Sequence, residues 1–215
     1  MYLPFVVFVL VLLSRIACGQ SGEEWRLEKD KNGIKVYSRH LEGAKLKEIR
    51  VVCEVEGTLS QLVAYLSDIE NFKHVVYRTK ESYPIRWERD NEVVYYNESD
   101  SPWPVANRDL VMRMTFQQHP VTKVLRIEAR NVPDGLPPKP GIVRIPFWHS
   151  VWTVRQVDSR HIHIDYFFKV DPGGEIPPWL TNMVAAVGPY HSFHSLQKSL
   201  GLPRYQNKTF SFLQP

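Results

Sequence analysis

Apolar side chains recur at every second position early in the chain: Ile34 and Val36, then Ile49, Val51, Cys53 and Val55. A period of two marks a half-buried strand and predicts strands over 33–39 and 45–56. The period then changes. Leu62, Val63, Leu66 and Ile69 fall at helical spacing behind Thr58, a residue type suited to the N-cap, so a helix is expected there, ending at Asn71. From about residue 75 the period is two again, giving strands over 79–87, 92–98, 110–117, 123–130, 142–157 and 161–170. Short polar turns at 88–91 and 158–160 favour antiparallel hairpins. Near the end, Trp179, Met183, Ala186, Tyr190, Phe193 and Leu200 form one helical stripe. Pro177 and Pro178 suit its first turn, and Gly188-Pro189 should kink or split it. Residues 20–32 are polar around Trp25 and Leu27 and suggest a short helix. The segment after Pro203 suggests a frayed tail.

These elements describe an α+β domain, with an antiparallel sheet of seven to nine strands, a helix inserted early and a long helix last. Such a sheet has one face to bury, and the last helix is the element available to cover it. The proline-rich segment 131–140 is long enough to cover something or to move. Nothing repeats, and 215 residues suit one domain plus a leader.

The leader is the apolar run of residues 1–13, followed by Ser14-Arg15. It is short for a bilayer span and fits a signal-peptide core, although no Lys or Arg precedes it. Ala17 and Gly19 supply the small residues for cleavage before Gln20. Arg15 occupies the position where a lipoprotein signal ending at Cys18 would want an aliphatic residue. The expected division is therefore a signal peptide over 1–19, a domain over 20–203 and a tail over 204–215, with export to a periplasm or the medium. Cleavage leaves Cys53 alone, on the core face of its strand, so no disulfide is expected. The net charge of +4 is modest and the basic residues are dispersed, which argues against nucleic acid and leaves weak attraction to anionic membranes.

Four segments in order resemble the START family, the lipid-binding domains related to steroidogenic acute regulatory protein. Trp25 with Asp30-Lys-Asn-Gly-Ile-Lys-Val-Tyr37 looks like the family's opening. Leu66-Ser-Asp68 resembles the end of its first inner helix. Trp103-Pro-Val-Ala-Asn-Arg-Asp109 looks like its strand start, and Asp171-Pro-Gly-Gly with Ile176-Pro-Pro-Trp-Leu-Thr-Asn182 the approach to its C-terminal lid helix. The resemblance spans roughly residues 22–202. It implies a helix-grip fold, a curved antiparallel sheet wrapped around the last helix and enclosing a hydrophobic tunnel for one lipid.

On that fold the register proposes a lining. Leu110, Met112, Met114 and Phe116 share one face of their strand and should point inward, joined by Ile127, Trp152, Tyr166 and Phe168. Met183, Val187 and Tyr190 would close the cavity from the helix. Segment 131–140 and the kinked helix are the candidate lid. Sterol-binding relatives carry a cation six residues after the Arg of the Arg-Asp pair. Here that position is Met114, so a sterol ligand does not carry over. Arg108 and Asp109 point to opposite faces of a strand and should be structural.

Helix-grip relatives also include cyclases and aromatases, which would need a general acid or base in the cavity. His149, Tyr96 and Tyr166 are the available groups. His161 with His163, and His191 with His194, lack a third ligand, so no metal is expected. The expected protein is a monomeric, non-enzymatic carrier without a cofactor that contacts membranes transiently. An enzyme of the cyclase type or a ligand-sensing module are the alternatives.

Overall fold

The computed structural model describes residues 24–40, 47–132, 134–177, 179 and 183–214. The leader and the Thr181-Asn182 end of the last motif lie outside the described residues.

Ten strands form one sheet: β1 (Arg26–Lys31), β2 (Ile34–His40), β3 (Lys47–Glu56), β4 (Thr79–Arg89), β5 (Glu92–Ser99), β6 (Arg108–Gln118), β7 (Leu125–Asn131), β8 (Val143–Arg144), β9 (Phe147–Gln156) and β10 (His161–Asp171). Their spatial order is β1-β2-β3-β10-β9-β7-β6-β5-β4, with β8 added in parallel to the start of β6. All other pairings are antiparallel. The sheet is curved and carries a C-terminal helix against one face.

Two sequence expectations fail at the edges of these elements. Residues 26–31 form a strand, not a helix, because Asn32 (φ 55°) and Gly33 (φ 73°) close a two-residue hairpin onto β2. Both turn residues are left-handed, as the hairpin turn favoured by Asn-Gly requires. The single strand expected over 142–157 is broken at Pro146, between β8 and β9.

Helix α1 (Leu59–Ser67) starts where Thr58 predicts. The Gln61 amide donates to Thr58 Oγ1 at 3.3 Å and the Thr58 amide donates to Gln61 Oε1 at 2.8 Å, a reciprocal cap. A 3₁₀ turn over Ile69–Asn71 and the short α2 (Phe72–Val75) follow. The last helix is α3 (Gly188–Ser199), entered through a π-helical turn over Met183–Val187. The change of winding falls at Gly188-Pro189, where proline has no amide hydrogen to donate to the preceding turn.

The inward faces of the strands, α1 and α3 make one core with Leu62, Ile127, Ile164, Phe193 and Leu200 at its centre. The C-terminal tail belongs to it as well. Tyr205 is buried, its hydroxyl donates to Asp68 Oδ2 at 2.9 Å and accepts from Asn71, and Phe210, Phe212 and Leu213 pack on the core. The expected frayed tail is instead a strap.

A second, smaller cluster lies on the opposite face, where Val94, Tyr96 and Val111 are covered by Val132 and Leu136. Segment 131–140 is therefore not a lid over the tunnel. It covers the outside of β5 and β6, and Arg144 holds it by donating to the Leu136 carbonyl.

Candidate ligand cavity

Between the concave face of the sheet and α3 lies a cavity of about 320 Å³. Its walls come from β5, β6, β9 and β10, from α1 and α2, and from α3. The alternation of β6 sets one wall: Arg108, Leu110, Met112 and Met114 all face inward. Arg108 and Met114 are separated by six residues, or about 20 Å of strand.

One end of the cavity is aromatic. Trp152 stacks on Phe193 with centroids 5.1 Å apart and meets Tyr166 at 4.4 Å. Phe72 and Tyr95 meet edge to face at 5.9 Å. These arrangements suit the ring quadrupoles and fix an apolar surface.

The other end is polar and open. The start of β6 at Arg108 lies opposite Ser99 on β5, which lies opposite Thr79 on β4. Strand β9 runs parallel in direction to β6, since both pair antiparallel with β7, and its start at Phe147 faces Asp171 on β10. All these strand ends are at the same edge of the cavity. Arg78, Asp100, Ser101, Pro172 and Ile176, which line the cavity and reach solvent, fall there too. That edge is the mouth. Gly173 (φ 69°) and Gly174 (φ 65°) turn the chain from β10 toward it, the Gly173 amide donating to Asp171 Oδ1 at 3.0 Å. A side chain at either position would be strained.

Each residue of Asn107-Arg108-Asp109 has a separate task. Asn107 accepts from the Ser101 amide at 3.0 Å and donates to Glu98 Oε1 at 2.9 Å, pinning the segment beside the mouth. Glu98 is buried, which alone would raise its pKa. Hydrogen bonds from Lys80, Asn107 and Tyr96 outweigh that and hold it below the usual carboxylate range. Asp109, 1% exposed, accepts from Arg144 Nε at 2.7 Å and Nη2 at 3.1 Å on the outer face. Arg108 points the other way, into the cavity, where Nη1 donates to the Ala106 carbonyl at 2.5 Å. Asp109 is structural as expected. Arg108 is on the cavity wall.

Of the lining proposed from register, Leu110, Met112, Met114, Trp152, Tyr166, Phe168 and Met183 lie on the wall. Phe116 and Ile127 do not. Both are fully buried beyond the aromatic end, in contact with core rather than space. Val187 is half-buried away from the cavity, and Tyr190 turns to the helix's other side. There its hydroxyl accepts from Asn32 at 2.9 Å and its ring stacks on His194. Alternation puts Leu110, Met112, Met114 and Phe116 on one face of β6, and the cavity ends before Phe116.

The wall also includes residues outside that proposal, among them Arg108, Tyr95, Trp148, Ser150, Phe193 and Leu196. Arg108 has the same parity as Leu110, and Trp148 and Ser150 the same as Trp152, so alternation alone could have found three of them.

The three groups weighed for catalysis separate. Tyr96 is on the outer face, fully buried, with its hydroxyl donating to Glu98 at 3.2 Å. His149 Nε2 lies 2.7 Å from Glu128, also outside the cavity. Only Tyr166 faces the interior, and burial pushes its pKa well above the ordinary tyrosine value, against a smaller opposing effect of Ser150.

A curved sheet gripping a helix around an amphiphilic cavity defines a small-molecule-binding helix-grip domain. The chain belongs to the START domain family, whose model matches residues 17–201. It is 26% identical over 172 residues to the phosphatidylcholine transfer protein of Rattus norvegicus, spanning 78% of this chain and 79% of that protein. A solved STAR-related lipid transfer protein fragment from Xanthomonas axonopodis is 32% identical, with a TM-score of 0.75 over 83% of this chain and 99% of that one. Human StAR-related lipid transfer protein 5, at 20% identity, shares the fold with a TM-score of 0.70 over 84% of this chain and 87% of that one.

Proposed function

We propose that this domain holds one lipid in its cavity and carries it between membranes without chemical change. The observation that carries this reading is the division of the cavity into an apolar, aromatic-floored interior and a polar mouth at one edge. Burying each methylene of an acyl chain there contributes roughly 0.8 kcal/mol, so a tail can be held without a covalent step. The rat relative is a phosphatidylcholine transfer protein and the Xanthomonas relative a lipid transfer protein, which supports the same reading.

An exposed aromatic residue stands beside the mouth. Trp103 is 91% exposed two residues beyond Ser101, and Phe147, at the start of β9, is exposed as well. Such rings sit well at a bilayer interface. They would bring the mouth to the membrane from which the lipid leaves.

The wall favours holding over catalysis. Among the described residues lining it there is no His, Glu or Cys, and its one carboxylate, Asp100, is at the rim and ion-paired to Arg78 at 2.6 Å. Burial raises the pKa of Tyr65, Tyr95 and Tyr166, which removes them further from proton transfer near neutral pH.

A transfer assay tests this reading. Donor liposomes carrying a self-quenched fluorescent phosphatidylcholine are mixed with unlabelled acceptors, and dequenching is followed on adding protein. Transfer proportional to protein concentration, slowed when Trp103→Ser weakens docking, is expected. No transfer of phosphatidylcholine or of any labelled lipid in a mixed extract would overturn it.

A further inference from the structure

Two buried donors on the cavity wall have no acceptor among the described residues. Among the described residues, three buried side-chain polar atoms lack a hydrogen-bond partner: Arg108 Nε, Trp148 Nε1 and His194 Nδ1. The first two belong to residues of the wall. Unpaired buried donors are rare and costly, so each asks for an explanation. Both are N–H groups, so what completes them must bring acceptors.

Arg108 is the stronger of the two. It is 6% exposed, and its single hydrogen bond, from Nη1 to the Ala106 carbonyl, leaves the Nε–Nη2 edge open. Elsewhere in the sheet that same edge clamps a carboxylate. Arg50 grips Asp165, Arg39 grips Glu48 and Arg144 grips Asp109, each through Nε and Nη2. The edge matches planar or tetrahedral oxyanions in a two-point fork. Among the described residues no neighbouring acid offsets the charge of Arg108, and burial alone shifts its pKa, downward. The rim carboxylate Asp100 is already taken by Arg78.

Position agrees with chemistry. Arg108 opens β6 at the mouth edge, and Met114, Trp152 and Phe193 lie at the far end of the same wall. Trp148 is deeper than Arg108, next to His149, which is level with Arg113 through Arg130, and its ring stacks on Phe168 at 5.0 Å. Ser99, Ser101 and Asn97 surround the polar end.

We propose that Arg108 forms a headgroup subsite, and that the ligand is an amphiphile whose head carries an anionic oxygen group, a carboxylate or a phosphodiester. The head takes the open edge of Arg108, and the tail runs to Trp152, Tyr166 and Phe193. This rests on the lipid-binding reading above and specifies its ligand class.

The test compares charged and neutral forms of the same tail on the delipidated full chain. Palmitic acid carrying a terminal fluorophore is set against its methyl ester, and labelled phosphatidylcholine against labelled diacylglycerol. One charged probe should bind about 10- to 100-fold tighter than its neutral partner, the range for a charge-assisted hydrogen bond in a buried site. The pair that shows this names the head as carboxylate or phosphodiester. Arg108→Met should erase the preference while leaving the neutral probe unchanged, and Arg108→Lys, which keeps charge but loses the fork, should fall between. Equal binding of charged and neutral probes by the unaltered protein overturns this inference and leaves the carrier reading standing. Equal loss of both in Arg108→Met reduces Arg108 to shaping the cavity and overturns it too. Failure of every probe to bind removes both readings together.

Discussion

Replacing Arg108 by methionine should not weaken the empty protein. Arg108 is 6% exposed and, among the described residues, carries its charge beside no acid and makes one hydrogen bond. Keeping an unpaired ion out of water costs several kcal/mol after relaxation. The bond to the Ala106 carbonyl offsets about 1.5–3 kcal/mol of that. Methionine is unbranched and fills irregular apolar space, so it can follow the path of the arginine stem. The difference predicts that delipidated Arg108→Met is equal to the unaltered protein or more stable by about 1–2 kcal/mol. For a chain of this size that is a rise in Tm of up to about 8 °C. Urea unfolding followed by tryptophan fluorescence measures it, with the slope checked for an unchanged denatured state. With an anionic lipid at 100 times its Kd, the order should reverse, because binding stabilises only the protein that binds, by about 2.7 kcal/mol. A loss of more than about 2 kcal/mol in the delipidated variant would show that Arg108 braces the fold, and the reasoning would be refuted.

The neighbouring residue should behave oppositely. Asp109→Asn leaves Arg144 without its counter-charge in a buried setting and should cost about 3 kcal/mol in the same unfolding experiment; a cost below about 1 kcal/mol would contradict this assignment. Gly135→Ala places a methyl 2.5 Å from Val111 Cγ1 on the outer face, so stability should drop by about 1–3 kcal/mol with lipid binding intact, and lost binding would restore segment 131–140 as a lid. Burial raises the Cys53 thiol from its ordinary 9.0 to about 12, so the folded state favours the protonated form. That contribution is complete below pH 9 and is lost as pH rises from 9 to 12, at up to about 1.4 kcal/mol per pH unit. In line with this, a thiol reagent at pH 8 should label Cys53 only on unfolding, and rapid labelling of folded protein would show that the site is open.

Periodicity was enough to place most strands, because each buries one face and alternation is then enforced by the pleat. The same rule located Leu110, Met112, Met114, Trp152, Tyr166 and Phe168 on the inner face. It could not say where packed core gives way to space, since that depends on how far α3 stands from the sheet, and Phe116 and Ile127 fell on the wrong side. Tyr190 and Val187 were misplaced for a related reason. A π-helical turn precedes Gly188, so a stripe drawn at uniform helical pitch rotates away from the cavity. Arg108 is legible by its parity with Leu110, but an adjacent pair on opposite faces of a strand argues for a structural role, and that reasoning passes over the face Arg108 takes. The first hairpin was also legible, in Asn32-Gly33, but the polar composition of residues 26–31 obscured an exposed edge strand. The packing of Phe210, Phe212 and Leu213 depends on long-range contacts that no local pattern carries.

The most direct test of the central claim is native mass spectrometry of the protein after incubation with vesicles of mixed membrane lipids, followed by extraction and identification of what it holds. The account predicts one lipid per chain, with an anionic oxygen in its head, lost selectively in Arg108→Met. A protein that emerges empty from every lipid mixture would contradict it.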